Sequence, residues 1–217
     1  MSEQRKKLES ALAHDLNNFL QIIMGNLEVL KRRREHVPEV VEAALEATRS
    51  AAALADRLLA FMRLQSHEPR TVNVNRLLAD LAKTLAHTAG DKVRVETQLA
   101  DDLRAARADP RHIQAALAEL TANARDAMPG GGRLVIRTAN ASREFISIEL
   151  ADTGRGMPPG DVPRAFNPLS AGKRSGRTAG LGLAIVDHCM RQAGGRFEIA
   201  AEPGAGTRVT LYFPVSA

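Results

Sequence analysis

Leu8-Glu-Ser-Ala-Leu12-Ala-His14-Asp15-Leu16-Asn17-Asn18-Phe19 begins an apolar stripe that Ile23, Leu27 and Leu30 continue. Apolar residues at intervals of three and four mark one face of a helix. Roughly 30 residues rising about 1.5 Å each make a rod of about 45 Å. His36-Val37-Pro38 interrupts it, because proline suits a turn or the first turn of a new helix. Val41, Leu45, Leu54, Leu58, Phe61 and Leu64 form a second stripe, and Ser66-His67-Glu68-Pro69 reads as a linker. The pair is a helical hairpin whose broad apolar faces two helices alone cover poorly. Two copies would close a four-helix bundle. A homodimer through residues 1–66 is therefore expected.

Past the linker the period changes. Val74 to His87 is helical, Val93-Arg-Val-Glu-Thr alternates as a strand, and Arg104 to Ala108 reads as a short second strand. Pro110 to Ala127 is helical, with Asp109 as N-cap and Pro110 at the first helical position. Leu134 to Thr138 and Phe145 to Leu150 read as strands, Gly182 to Gln192 as a helix. Arg196 to Ala200 and Arg208 to Phe213 form a hairpin. Met157 to Ala179 is rich in Gly, Pro and Arg; so long a loop in a compact domain is usually functional. Residues 67–217 are thus expected to form a two-layer α/β sandwich.

Hydrophobic residues make up 44% of the 217, but aromatics only 3%, and Trp is absent. The core must come from Leu, Ile, Val and Ala. No apolar run approaches the roughly 18–20 residues of a membrane span, and no signal-peptide pattern opens the chain. The single Cys189 excludes an internal disulfide and fits a reducing compartment. Cytoplasmic location is the expectation. The formal charge of +5 is dispersed apart from Arg5-Lys6-Lys7 and Lys31-Arg32-Arg33-Arg34. The second cluster falls where a helix ends, where cations complement its dipole. Without zinc spacing, an RNA-binding aromatic signature or a helix-turn-helix, nucleic acid is not an expected partner.

His14 lies about a third of a turn off the leucine stripe and should project from the bundle's flank. An imidazole with a pKa near about 6.5 keeps a neutral, nucleophilic nitrogen at cellular pH. Asp15 can bond the other ring nitrogen, fix the tautomer and accept a proton. Read alone, this is an ordinary surface His-Asp pair. Glu119, Asn123 and Asp126 share one helix face, opposite Ile113, Ala116, Leu117 and Leu120. Asp152-Thr-Gly154-Arg-Gly156 follows a strand, and its glycines let the backbone approach a ligand. Asp-Thr-Gly is also an aspartic-protease signature, but that chemistry pairs two carboxylates, and the chain carries one copy. Gly180-Leu181-Gly182-Leu opens a helix whose N–H groups can cradle phosphate. It is neither a P-loop nor a full dinucleotide fingerprint. Gly204-Ala-Gly206-Thr207, in the final hairpin, is read with equal weight as a plain turn and as one more glycine segment of the nucleotide site.

In this order, the segments resemble the transmitter core of a sensor histidine kinase, over nearly the whole chain. The resemblance is to the subgroup with His-Asp-Leu-Asn-Asn, followed here by Gly25-Asn26-Leu27-Glu28. It implies a dimeric phosphoacceptor hairpin followed by an α/β sandwich of the Bergerat (GHKL ATPase) type. It makes His14 the phosphorylated histidine and Asp15 the assisting acid. Asn18 falls where the family carries a residue linked to dephosphorylating the partner. Asn123 would hold Mg²⁺, with Glu119 assisting and Asp126 lining the site. Asp152 would read the adenine of ATP, with Gly154 and Gly156 beside it. Lys173, Gly180, Leu181 and Gly182 would contact phosphates. A response-regulator receiver domain is the implied partner, with a sensor domain or protein supplied separately.

The loop between Gly156 and Gly180, which the resemblance makes the ATP lid, departs from the family. Phe166 and Pro168 match its phenylalanine motif. However, Leu169, Ser170, Ala171 and Gly172 replace an aromatic, Thr-rich stretch, and Thr178 and Ala179 stand where Gly and Thr are usual. The alternative is a dimeric histidine phosphotransferase, or pseudokinase, with a degenerate ATP-binding domain.

Overall fold

The computed structural model describes residues 20–29, 38–64, 67–161 and 181–216. The chain divides into two compact units, one containing the hairpin residues up to Arg63, the other Leu64–Phe166 with Gly182–Ala217. His14, Asp15, Asn18, Lys173 and Gly180 lie outside the described residues, as does the stretch from 162 to 180.

In the first unit residues 20–29 are helical (α1), and α2 spans Pro38–Arg63. Pro38 opens α2, where its missing N–H costs nothing, and Glu39 in the first turn suits the helix dipole. The Thr48 hydroxyl donates to the Ala44 carbonyl at 2.8 Å, while Ala44 and Ala47 are buried. Arg49 pairs with Glu42 and Glu46 at the surface, where such pairs contribute little. Leu20, Ile22, Met24, Leu27 and Val29 are exposed, Leu27 by 54%. A single chain therefore leaves part of the apolar stripe uncovered.

The second unit is built on a five-stranded sheet in the order β2-β4-β5-β7-β6. Its strands are β2 (Val93–Gln98), β4 (Gly132–Asn140), β5 (Phe145–Asp152), β6 (Arg196–Glu202) and β7 (Gly206–Pro214). Only the β2–β4 pairing is parallel. A separate antiparallel pair joins β1 (Arg70–Val72) to β3 (Ala106–Ala108). Alternation sorts the side chains onto two faces. Ile146, Ile148 and Leu150 of β5 and Val209, Leu211 and Phe213 of β7 are buried. Full burial of each such side chain is worth about 2 kcal/mol. The other face is polar: Arg137 pairs with Glu149 at 2.7 Å, and Arg208 approaches Glu149 at 3.5 Å.

Three helices complete the unit: α3 (Val74–Ala89), α4 (Pro110–Ala127) and α5 (Leu181–Gln192). In α3, Leu78, Leu81 and Leu85 are buried at helical spacing, and the Asn73 side chain caps the first turn by accepting from Arg76 N at 3.0 Å. In α4, Ile113, Ala116, Leu117 and Leu120 are all buried, so the face opposite Glu119, Asn123 and Asp126 is the packed one. α3 packs along α4, and α4 reaches β5 and β7. In α5, Leu183, Ile185, Val186, Cys189 and Met190 are buried. A short 3₁₀ turn, Pro159–Asp161, follows β5.

Two local expectations change. The strand expected from Arg104 begins only at Ala106, because Arg104 is committed elsewhere. Its backbone N and Nε both donate to Asn140 Oδ1, at 3.1 and 3.2 Å, and its guanidinium donates to the Ser142 and Arg143 carbonyls. This clamps the β4–β5 turn. β1 was not expected at all; three residues are too few to show a period of two. Among the described residues, no helix is long and apolar enough to cross a membrane.

Candidate functional site

α4 carries the site because its N-terminus is firmly anchored. Asp109 is the N-cap, 1% exposed, and accepts at Oδ1 from Arg111 N at 2.9 Å. Its Oδ2 accepts from the Glu68 backbone N–H at 2.9 Å and the Arg111 guanidinium at 2.7 Å. Burial by itself would raise this carboxyl's pKa. The Arg111 side-chain bonds, the Glu68 and Arg111 backbone N–H groups and the Arg111 charge outweigh it and hold the group well below the carboxylate range.

Farther along α4, Glu119 and Asn123 are half-buried and point toward the start of α5. A Cβ on Gly182 would stand 2.9 Å from Glu119 Oε2 and 3.2 Å from Asn123 Nδ2. A side chain at this position would have to push the Glu119 and Asn123 ends aside. The structure thus brings together three of the expected residues from two separate segments. Asp126, one turn further, is half-buried and bonded by Arg125 at 3.0 Å. Leu181 is the first residue of α5.

Asp152 ends β5 beside the last turn of α4. Its Oδ1 accepts from Gly154 N at 2.8 Å and from Thr207 N at 3.1 Å. Its Oδ2 has no hydrogen-bond partner among the described residues. Burial raises the pKa of this carboxyl, and the two backbone N–H groups oppose the shift. Gly154 lies so close to α4 that a Cβ would stand 2.7 Å from that of Ala127, and Arg155 N donates to the Ala127 carbonyl at 3.1 Å. Gly156 has φ +60° and runs against the Glu202 carbonyl, which no other residue could do without displacing the backbone. Ala127 is one turn beyond Asn123, so α4 connects the turn after Asp152 to the Glu119–Asn123–Gly182 group.

The Gly204-Ala-Gly206-Thr207 segment, open in the sequence between a plain turn and a site segment, reaches Asp152 through the Thr207 N–H. Nothing in the sequence indicated that this particular N–H would orient Asp152. Gly206, at φ +91°, makes the approach possible by lying against the Asp152 backbone carbonyl. Cys189 is no candidate nucleophile: burial, then the charges of Glu119 and Asp109, push its thiol up to about 12.

Residues 108–217 match the family described as histidine kinase-, DNA gyrase B-, and HSP90-like ATPase. The chain belongs to that ATPase family. Residues 4–67 match the His kinase A (phospho-acceptor) domain, so the ATPase fold is preceded by a phospho-acceptor domain, as in a sensor histidine kinase transmitter core. The chain is 32% identical over 226 aligned positions to the sensor kinase CckA of Brucella abortus, covering 96% of this chain and 24% of that protein. It is 27% identical to the signal transduction histidine-protein kinase AtoS of Escherichia coli, covering 97% of this chain and 35% of that one. The chain thus spans a quarter to about a third of the length of these two relatives. A crystal structure of the histidine kinase ThkA in complex with the response regulator protein TrrA shares the fold. There the TM-score is 0.71 at 16% identity, over 99% of this chain and 64% of ThkA. The expected ATPase-type sandwich behind a helical phospho-acceptor region is the observed architecture.

Proposed function

We propose that this chain is an ATP-dependent protein-histidine kinase that phosphorylates its own His14 and passes the phosphoryl group to an aspartate of a response-regulator receiver domain. One observation carries this reading: Glu119, Asn123 and Gly182 converge one turn from the half-satisfied Asp152, in an ATPase-family fold preceded by a phospho-acceptor domain. The proposed division is 1–66 for dimerisation and phosphoacceptance and 67–217 for ATP binding.

Each residue then has a role that its chemistry fits. Asp152 Oδ2 accepts from the exocyclic amine of adenine, while Oδ1 is held by Gly154 and Thr207. Gly154 and Gly156 bring the backbone close to the base. The Asn123 amide oxygen and the Glu119 carboxylate form an oxygen donor set that fits Mg²⁺, a hard ion. Mg²⁺ bound there would neutralise charge on the phosphates. Asp126 lines the same face. Lys173, Gly180, Leu181 and Gly182 cradle phosphate at the start of α5. At His14 the ring nitrogen bonds to the γ-phosphorus as the bond to the ADP oxygen breaks, and Asp15 takes the ring proton. Asn18 supports the reverse, phosphatase role toward the partner.

The exposed Leu20, Ile22, Met24 and Leu27 support a homodimer through residues 1–66. The ThkA complex, whose partner is a response regulator, supports the receiver-domain reading. Cytoplasmic location follows from where ATP is available. The signal enters through a sensor region or protein other than these residues.

The test is incubation with Mg²⁺ and γ-labelled ATP, comparing wild type with His14→Ala and Asn123→Ala. Acid-labile, alkali-stable label that both substitutions abolish is the expected result. A folded, nucleotide-binding wild type that takes no label would overturn the kinase reading. Absent nucleotide binding would favour the phosphotransferase alternative.

A further inference from the structure

Three histidines far apart in sequence, His67, His112 and His188, meet inside the α/β unit around the N-terminus of α4. The His67 and His112 ring centroids are 5.2 Å apart at an interplanar angle of 13°, and those of His112 and His188 are 6.2 Å apart. The kinase reading uses none of them. His112 is 0% exposed. Its Nε2 lies 3.1 Å from the Leu64 carbonyl. A carbonyl only accepts, so Nε2 carries the proton and Nδ1 carries a lone pair. That Nδ1 is buried and has no hydrogen-bond partner. His67 Nδ1 is also buried without a partner. A buried polar atom left unsatisfied costs about 1–3 kcal/mol, and here two occur side by side.

We propose that His67, His112 and Asp109 form a binding site for a borderline divalent transition ion, Zn²⁺ foremost. One ligand atom from each lies within 4.8 Å of the others. Two imidazole nitrogens and a carboxylate oxygen are the ligand types this ion takes, with water completing the tetrahedron. Zinc–ligand bonds of about 2.0–2.1 Å put ligand atoms about 3.3 Å apart, so the group must contract. His67 can supply that movement, being half-buried on a coil segment. The Leu64 carbonyl that receives His112 Nε2–H acts as the outer-sphere acceptor that orients a ligating histidine.

Asp109 already holds a cation. Arg111 reaches its Oδ2 at 2.7 Å and sits 3.8 Å from Glu68 Oε2. The Arg111 side chain is 45% exposed, so it can release one Asp109 oxygen to the metal and remain solvated beside Glu68. Zn²⁺ and Arg111 therefore compete for the carboxylate. Loading would tie His67 and Glu68 to the starting turn of α4.

The test uses the full chain stripped of metal and free of nucleotide, titrated with Zn²⁺ against a chromophoric chelator. One equivalent per chain is expected, with a Zn²⁺-dependent rise in Tm. His67→Ala and His112→Gln should each weaken binding at least about tenfold, and His67→Ala should abolish the rise in Tm. Arg111→Ala should tighten binding several-fold, which a merely structural ion pair would not produce. His87→Ala, an exposed histidine elsewhere, should change nothing. If His112→Gln does not fold, the half-exposed His67→Ala decides. No saturable Zn²⁺ binding, or binding that His67→Ala leaves intact, overturns the proposal.

Discussion

The two ends of α4 each hold an aspartate, and the fold treats them in opposite ways. Asp109, at the N-terminus, has both oxygens occupied and its pKa driven down. Asp152, beside the C-terminus, has one oxygen fixed by two backbone N–H groups and the other unused, and its pKa goes up. The positive end of the helix dipole and Arg111 favour charge at the first; the second has only burial and two amides. A carboxylate with both oxygens occupied can take a ligand only by displacing a partner, as the proposed metal would displace Arg111 from Asp109. One that is half satisfied, with the satisfied half oriented, keeps bonding capacity for a ligand without displacing anything.

The sharpest way to break this contrast is to delete each carboxylate in turn. Asp109→Ala removes a helix cap and leaves the Arg111 guanidinium and the Glu68 N–H without their acceptor. A loss of about 3 kcal/mol of stability is expected, read from the urea midpoint, with nucleotide affinity of the folded protein unchanged. Asp152→Ala should do the reverse. It should cost about 2 kcal/mol of ATP affinity, measured by calorimetry, at little or no cost in stability. If Asp152→Ala unfolds the protein while Asp109→Ala is silent, the assignment of roles is inverted. Gly182→Ala tests the other half of the site. Its Cβ would crowd Glu119 and Asn123, and a loss of about 1 kcal/mol in Mg-ATP affinity is expected; full affinity would show that this glycine is not needed for close approach.

The smallest effect is in pH. Asp109's folded pKa is depressed, so its stabilisation is present above its ordinary value of 3.8 and is lost as pH falls below it. Asp152's folded pKa is raised, so its folded form takes up a proton first, and its own contribution to stability grows as pH falls toward 3.8. At pH 7 the urea midpoint of Asp109→Asn should lie below wild type and that of Asp152→Asn at or above it, and both differences should shrink, from opposite sides, as pH falls and the wild-type carboxyls protonate. ATP affinity should weaken as Asp152 protonates, and Asp152→Asn should remove that dependence.

Much of this was readable in advance because the signals are local. Asp109-Pro110 announces a helix start in adjacent residues, and the α4 apolar face repeats every three or four. The grouping of Glu119 with Asn123 follows from helix spacing. Gly182 joined them only through the resemblance, since nothing local links α5 to α4. The glycine segment ending at Thr207 could be read as a site segment or a turn, but the contact itself could not be foreseen, because Thr207 bonds Asp152 through its backbone N–H, to which residue type is indifferent. The histidine cluster was invisible for a different reason: positions 67, 112 and 188 belong to a coil and two helices that only the packed unit brings together. The His14 segment, which decided the reading of the sequence, lies outside the described residues.

β7 is the latest described strand in the sequence, yet it lies inside the sheet, between β5 and β6. Thr207, near its start, is one of the two donors that orient Asp152. The proposed adenine site therefore has no partially built version. Until β7 has been synthesised and inserted, Asp152 has only Gly154 to hold it, and β5 is an edge strand paired with β4 alone. On that proposal, binding competence arrives together with closure of the sheet, and a shortened or half-folded chain would hold no nucleotide.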